Sequence, residues 1–210
     1  MNLIFLGPPA SGKGTQAKII SPSYNLTHVS TGDIFREALN NKTEVGLAAY
    51  NNYWGHGRLV PDDITNQLAF EHLSHLTTSF ILDGYPRTVP QAVALDTYLQ
   101  TKSRPIGHVI HFEVSDQIVT TRASTRKTCS GCGQIYGAVR PSKTINCDCC
   151  NSPLKIRPDD TPLLMIARLE EYHQKTAPLL NHYQPLITKL DASKSIEDVT
   201  LDLHEIINKK

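Results

Sequence analysis

The run Gly7-Pro8-Pro9-Ala10-Ser11-Gly12-Lys13-Gly14-Thr15 follows a short apolar stretch and opens a helical pattern. A phosphate-binding loop requires this setting. Consecutive backbone N–H groups and a helix N-terminus surround anionic oxygens, and Lys13 adds a full charge. The strict pattern puts Ser or Thr directly after the lysine, whereas here Gly14 intervenes before Thr15. Leu82-Asp83-Gly84-Tyr85-Pro86-Arg87-Thr88 closes another apolar stretch, and Asp83 stands where a carboxylate would organise a metal-bound phosphate. Alone, that run is a Gly/Pro turn that needs no function. Of nine arginines, Arg36, Arg87, Arg122, Arg126, Arg157 and Arg168 flank loops or strand ends. Each by itself reads as a solvated surface residue. Beside a phosphate loop they read together, because several phosphates need several guanidinium forks.

All five cysteines fall between Cys129 and Cys150. Cys129-x2-Cys132 and Cys147-x2-Cys150, 14 residues apart, have the spacing of two zinc knuckles. Four thiolates close a tetrahedral shell, so the metal would be structural and not catalytic. Cys149 offers a competing frame with Cys147, but the two-residue spacer matches the first knuckle. Single histidines such as His28 and His111 read as core or edge residues.

These groups must be positioned by alternating strands and helices. Strands are expected at Asn2–Leu6, Thr27–Ser30, Ser79–Leu82, His108–Val114 and Ile187–Leu190. Helices are expected from about Lys13, Thr31, Pro61, Pro90, Asp116, Thr161 and Ser195, with Ser30 and Asp33 at capping-box spacing. The helix from Asp116 would carry Arg122 and Arg126 one turn apart on one face. Residues 127–158 hold every cysteine and no clear period, an excursion from the core. Five apolar strands joined through helices imply an α/β, doubly wound parallel sheet, with ligands at the carboxyl ends of its strands.

The 210 residues are 40% hydrophobic, enough for a buried core, and their net charge is +1. That balance disfavours a chain built to neutralise nucleic acid or an anionic bilayer. Leu3–Leu6 is too short for a signal or membrane segment, so a soluble, unprocessed protein is expected. Clustered cysteines point to a reducing compartment, the cytoplasm.

Taken in order, the motifs GPPASGKGTQ, HVSTGDIFREAL, GRLVPDD, FILDGYPRT-x-PQA, the R-x3-R of Arg122 and Arg126, the four-cysteine lid, R-x-DD at Arg157 and RLEEYHQKTAPL resemble the adenylate kinase family nearly end to end. The likeness is to the bacterial type with a long zinc-holding lid. It implies a five-stranded sheet of P-loop NTPase type in one nucleoside-monophosphate-kinase domain over residues 1–210. An AMP-binding helical segment would span 30–60 and the lid 125–160. The implied reaction is reversible, Mg²⁺-dependent transfer of the terminal phosphoryl of ATP to AMP, giving two ADP and maintaining adenine nucleotide balance. Residue by residue, the resemblance puts Ala10, Ser11, Gly12, Lys13, Gly14 and Thr15 around the ATP phosphates. Arg122, Arg126, Ile135, Tyr136 and the backbone of Lys194 would also contact ATP. Thr31, Arg36, Arg58, Leu59, Val60, Gly84, Tyr85, Pro86, Arg87, Gln91, Arg157 and Arg168 would contact AMP. Lys13, Asp83, Arg87, Arg126, Arg157 and Arg168 would carry catalysis, and Cys129, Cys132, Cys147 and Cys150 would hold Zn²⁺.

The expected partners are ATP, AMP and ADP, with no nucleic acid or membrane, and the expected state is a monomer. Two features depart from the family pattern. Ala10 replaces a loop glycine, which implies φ < 0 there. Tyr50–Gly57 is one residue longer than usual and carries Trp54. With Zn²⁺ bound, the lid's charged residues, Arg140 and Lys143 among them, leave a net +2 over the phosphates. Two rival readings remain: a kinase for another nucleoside monophosphate, and an ATP-switched nucleic-acid binder. Gln91 and Thr31 favour adenine over the first, and the sparse aromatics of the knuckle speak against the second.

Overall fold

Six of the helices begin at a Ser or Thr whose hydroxyl accepts a backbone N–H from the first turn. These are Ser30, Thr43, Thr88, Ser115, Thr161 and Ser195. Each such cap contributes about 1 kcal/mol and fixes where the chain leaves its strand or loop. The computed structural model describes residues 1–137, 141 and 145–209, so Arg140 and Lys143 lie outside the described residues. In chain order it contains β1 (Asn2–Leu6), α1 (Lys13–Ile20), β2 (Leu26–Ser30), α2 (Thr31–Asn40), α3 (Glu44–Asn52) and α4 (Asp62–Ser74). There follow β3 (Ser79–Asp83), α5 (Val89–Thr101), β4 (Ile106–Glu113), α6 (Asp116–Thr125), β5 (Lys127–Cys129), β6 (Ile135–Tyr136) and β7 (Leu154–Lys155). The chain ends with α7 (Pro162–Glu171), a π-helical turn over Tyr172–Thr176, α8 (Leu179–His182), β8 (Ile187–Asp191) and α9 (Ile196–Asn208).

The main sheet is parallel, in the order β2-β3-β1-β4-β8. This is the doubly wound arrangement that the apolar runs imply. β1 lies at its centre, buried on both faces. Leu3 and Phe5 join Ile81, Ile110 and Phe112 beneath α1 and α9. Ile4 and Leu6 join Val29, Phe80 and Leu82 beneath α4 and α5. Burial on both faces is why the strand reads as an unbroken apolar run. The chain moves from β1 to its neighbours on one side, then crosses to β4 on the other. The carboxyl end of β1 is therefore the switch point where a ligand crevice opens.

Two expectations need correction. Arg126 does not share a helical face with Arg122. The helix stops at Thr125, and Arg126 is extended (φ −66°, ψ 131°), because the chain must straighten to enter β5. Nor is the stretch after it irregular throughout, since β5 pairs antiparallel with β6 and β7 in a small separate sheet. The long Tyr50–Gly57 stretch is taken up by the end of α3 and a 3-10 turn over Trp54–His56. Among the described residues, no helix is long and apolar enough to cross a membrane.

α2 and α3 meet at Gly46, where an added Cβ would fall 2.3 Å from the carbonyl carbon of Ala38. Helix propensity alone would favour alanine there by about 1 kcal/mol, but the overlap with backbone cannot relax by a rotamer change. Gly46→Ala should therefore lower stability by about 1–3 kcal/mol, read as a reduced midpoint in thermal or urea unfolding.

Candidate active site

β1 delivers the loop at residues 7–15 to the crevice. Lys13 opens α1, and its ammonium donates to Gly7 O (2.8 Å), Pro8 O (2.7 Å) and Ser11 Oγ (3.1 Å). Ala10 sits at φ +60°, against the expectation of φ < 0. A left-handed alanine costs about 1–2 kcal/mol. Its side chain packs beside Val119, Ala123, Met165 and Leu169, contacts that offset the strain. Gly14 has a steric reason to replace the usual hydroxyl residue. A Cβ there would lie 2.9 Å from Asp83 Oδ2, so glycine lets the carboxylate reach the loop.

Asp83 ends β3, in register with Phe5 of β1 and Ser30 of β2. Burial opposes its ionisation, but a hydrogen bond from His28 and the charge of Lys13 outweigh that, holding the carboxyl below its usual range. His28 is thus more than the core or edge residue expected. Its Nε2 lies 3.2 Å from Asp83 Oδ2, because β2 runs beside β3. The turn after Asp83 is tied from three sides. Thr31 Oγ1 donates to Gly84 O (2.7 Å), Arg87 N–H donates to Gln91 Oε1 (2.7 Å), and Thr176 Oγ1 donates to Arg87 O (2.8 Å).

The arginines converge over this floor. Arg126 forks onto Asp160, with Nε 2.6 Å from Oδ2 and its terminal nitrogen on Oδ1. Arg168 Nη1 meets Asp159 Oδ2 at 2.9 Å and Asp160 Oδ1 at 3.3 Å. Arg157 Nε donates to Thr128 Oγ1 (3.0 Å), and Arg36 pairs with Asp33 (2.6 Å). Burial first, then Arg36 and Arg126, pushes Arg157 down to about 9, and burial then Arg168 pushes Arg87 down to about 10. Arg122 reaches Ser11 O and Ser193 O, both at 3.4 Å, bridging the loop to the segment that holds Lys194.

One cleft of about 270 Å³ collects almost every residue that the sequence singled out. Its walls include residues 10–15, Thr31, Arg36, Arg58, Leu59, Val60, Asp83, Gly84, Pro86, Arg87, Gln91, Arg122, Arg126, Ile135, Tyr136, Arg157, Arg168 and Lys194. Tyr85 is not among them. It is fully buried in the core, and its hydroxyl donates to Asn66 Oδ1 at 2.7 Å. The adenylate kinase family profile matches residues 5–187. Adenylate kinases of Fervidobacterium nodosum (44% identical, 99% of this chain and 97% of theirs), Lachnoclostridium phytofermentans (40%, 100% and 99%) and Thermosipho africanus (40%, 99% and 98%) are similar along their whole length. The chain belongs to the adenylate kinase family. It is a nucleoside monophosphate kinase, a phosphotransferase acting between ATP and AMP.

In this adenylate kinase the four knuckle cysteines bring their sulfurs within 4.8 Å of one another, with Cys129–Cys150 at 3.4 Å and Cys132–Cys147 at 3.5 Å. A tetrahedral metal with bonds of about 2.3 Å would set sulfurs roughly 3.8 Å apart, so the donor set fits such an ion. Backbone N–H groups of Gly131 and Cys132 point at Cys129 Sγ, and that of Cys149 at Cys147 Sγ. Cys149 is exposed and lies outside the four. Tyr136 is buried, its hydroxyl on Cys147 Sγ and Asp148 N, so it ties the knuckle to the cleft wall. Lys18 of α1 donates to Gly133 O at 3.0 Å, joining the small sheet to the core.

Sequence reasoning missed the aspartates that hold the arginines. Asp159 and Asp160 stood in a motif quoted for Arg157, with no role given. Thr176 lies in a π-helical turn that no hydrophobic period signals. Asp62, one residue past Pro61 at the start of α4, bonds both Thr88 and Gln91, pairings that no local pattern signals.

The Lys13 ammonium is lowered to about 8, mainly by burial, with Asp83 opposing and Arg87, Arg168 and Arg126 adding to the fall. A bound phosphate restores the charged form, so the complex holds more protons than the free enzyme above that pH. ATP binding at about pH 9 should therefore take up most of one proton, and affinity should fall as pH rises past 8. Calorimetry in buffers of different ionisation enthalpy measures the uptake, which should fall by most of one proton in Lys13→Gln.

Proposed function

We propose that the cleft holds ATP and AMP end to end, with the phosphoryl group passing between them above Lys13. What supports this is the meeting of Lys13, Asp83, Arg36, Arg87, Arg126, Arg157 and Arg168 in one cleft, the phosphate loop at one end and the Gln91 turn at the other. The acceptor is an AMP phosphate oxygen, already anionic near neutral pH, so no general base is required. The chain has to align donor and acceptor, neutralise charge and exclude water.

In this reading residues 10–15 wrap the ATP phosphates, and Lys13 follows the migrating group. Arg122, Ile135, Tyr136 and Lys194 border the ATP base and ribose. Thr31, Arg36, Arg58–Val60, Gly84, Pro86, Arg87 and Gln91 border AMP, and Arg126, Arg157 and Arg168 close over the phosphates. Asp83, an ionised carboxylate at the cleft floor, would hold Mg²⁺. When bound, that ion neutralises charge developing on the phosphate oxygens. Within one domain over residues 1–210, residues 30–60 are the AMP-binding segment and 125–160 the lid. Cys129, Cys132, Cys147 and Cys150 would hold Zn²⁺, which supplies local folding energy because the lid is too small to bury a sufficient core. The enzyme is assigned to the cytoplasm, as a monomer working on ATP, AMP and ADP without nucleic acid or membrane.

Lys13→Gln tests the site. Losing a fixed cation at the transferred group should cost about 2.7–4 kcal/mol of transition-state stabilisation, by analogy with a lost oxyanion donor, and leave the fold intact. A coupled assay for ADP formation measures it. Retention of more than about a tenth of wild-type turnover would remove Lys13 from the reaction, since a tenfold change is only about 1.4 kcal/mol.

Cys129→Ser combined with Cys132→Ser tests the lid. The double variant should lose its metal and unfold earlier on heating, yet keep measurable transfer at low temperature. Metal content and thermal unfolding are read on the same sample as activity. A folded, ATP-binding variant with no turnover in the cold would contradict a purely structural metal.

A further inference from the structure

Gln91 is 1% exposed, and its amide is held at both ends. Oε1 accepts the Arg87 N–H at 2.7 Å, and Nε2 donates to Asp62 Oδ1 at 2.7 Å. Neither partner can exchange roles, because a backbone N–H only donates and a carboxylate only accepts. Asp62 is itself fixed, since its Oδ2 accepts Thr88 Oγ1 at 3.0 Å and Thr88 caps the helix that carries Gln91. Asp62 belongs to α4 and Gln91 to α5, so one helix sets the orientation of a side chain on the other.

Gln91 lines the cleft, and those two bonds leave one N–H of Nε2 and one lone pair of Oε1 in a fixed order. An adenine edge presents an amino donor beside a ring-nitrogen acceptor. A 6-oxopurine presents the reverse, a carbonyl acceptor beside an N–H donor. A freely turning carboxamide pairs with either by flipping. A locked one does not, because the flip would face Oε1 to the Asp62 carboxylate and the NH2 group to the Arg87 N–H.

We infer that Asp62 is a specificity-determining positioning residue: by fixing the polarity of the Gln91 amide, it makes the acceptor site take 6-aminopurine and refuse 6-oxopurine monophosphates. This rests on the proposed contact of Gln91 with the acceptor base. Asp62 is not among the residues that line the cleft, so its effect is exerted through Gln91 and falls on acceptor choice.

The test compares kcat/KM for AMP, IMP and GMP in Asp62→Asn, Asp63→Asn and Gln91→Leu. In Asp62→Asn the new side-chain amide can donate to a flipped Gln91, which removes one of the two locks. The AMP preference over IMP should fall by about tenfold or more, with the KM for ATP within about twofold of wild type. Asp63, exposed in the same helical turn, controls for the lost charge, and its variant should keep the wild-type ratio. Asp62→Ser, short and able to donate, is the second variant should Asp62→Asn prove unstable, and it should shift the ratio the same way. An unchanged ratio in folded Asp62 variants, with Gln91→Leu altering it, overturns the role of Asp62. So does an equal loss with every acceptor. An unchanged ratio in Gln91→Leu overturns instead the base contact of Gln91, and the inference with it.

Discussion

Cations confined to one cleft repel, and much of this structure answers that repulsion. Lys13, Arg36, Arg87, Arg126, Arg157 and Arg168 line the same walls, and burial removes the water that would screen them. Asp33, Asp83, Asp159 and Asp160 stand among them as the compensating charges. Burial would weaken Arg126, but the Asp160 fork more than restores its charged form. Asp159 ionises more readily than an ordinary carboxyl despite its burial, because Arg168, Arg36, Arg157 and Arg126 surround it. Arg87 and Arg157 have no such fork, and burial leaves both guanidinium groups destabilised. A string of phosphates relieves that energy, so the protein is preorganised for polyanions and strained without them.

The small sheet carries part of this charge above the cleft on very little core. Cys129, Tyr136 and Cys147 are its buried centre, with Leu154 packed against them. So small an apolar nucleus buries little surface, and the four-cysteine cluster lies beside it. Arg157 follows β7 closely and Arg126 immediately precedes β5, so both guanidinium groups ride on the ends of that sheet.

Below, the main sheet supplies rigidity. Five parallel strands run side by side, the central three largely buried. The turn at Gly84–Arg87 accepts hydrogen bonds from α2 and from the π-helical turn after α7, and donates one to α5. The geometry of this turn is therefore set by tertiary contacts, with little left to its own preferences.

The sequence by itself determined what is local or chemically obligatory. Apolar runs and helix-start residues mark the five main strands and seven of the helix starts to within about two residues, because backbone burial and capping act over short spans; α3, over Glu44–Asn52, was not expected. The loop at residues 7–15 and the paired cysteines are legible because phosphate and metal binding demand particular atoms at particular spacings. Pairings across the chain were decided by the tertiary structure: Arg126 with Asp160, Asp83 with Gly14 and His28, and Asp62 with Gln91. It also placed Ala10 in a left-handed conformation and turned Tyr85 away into the core. Such contacts join residues tens of positions apart, and their energies depend on burial that exists only once the sheet has formed. No spacing along the chain encodes them.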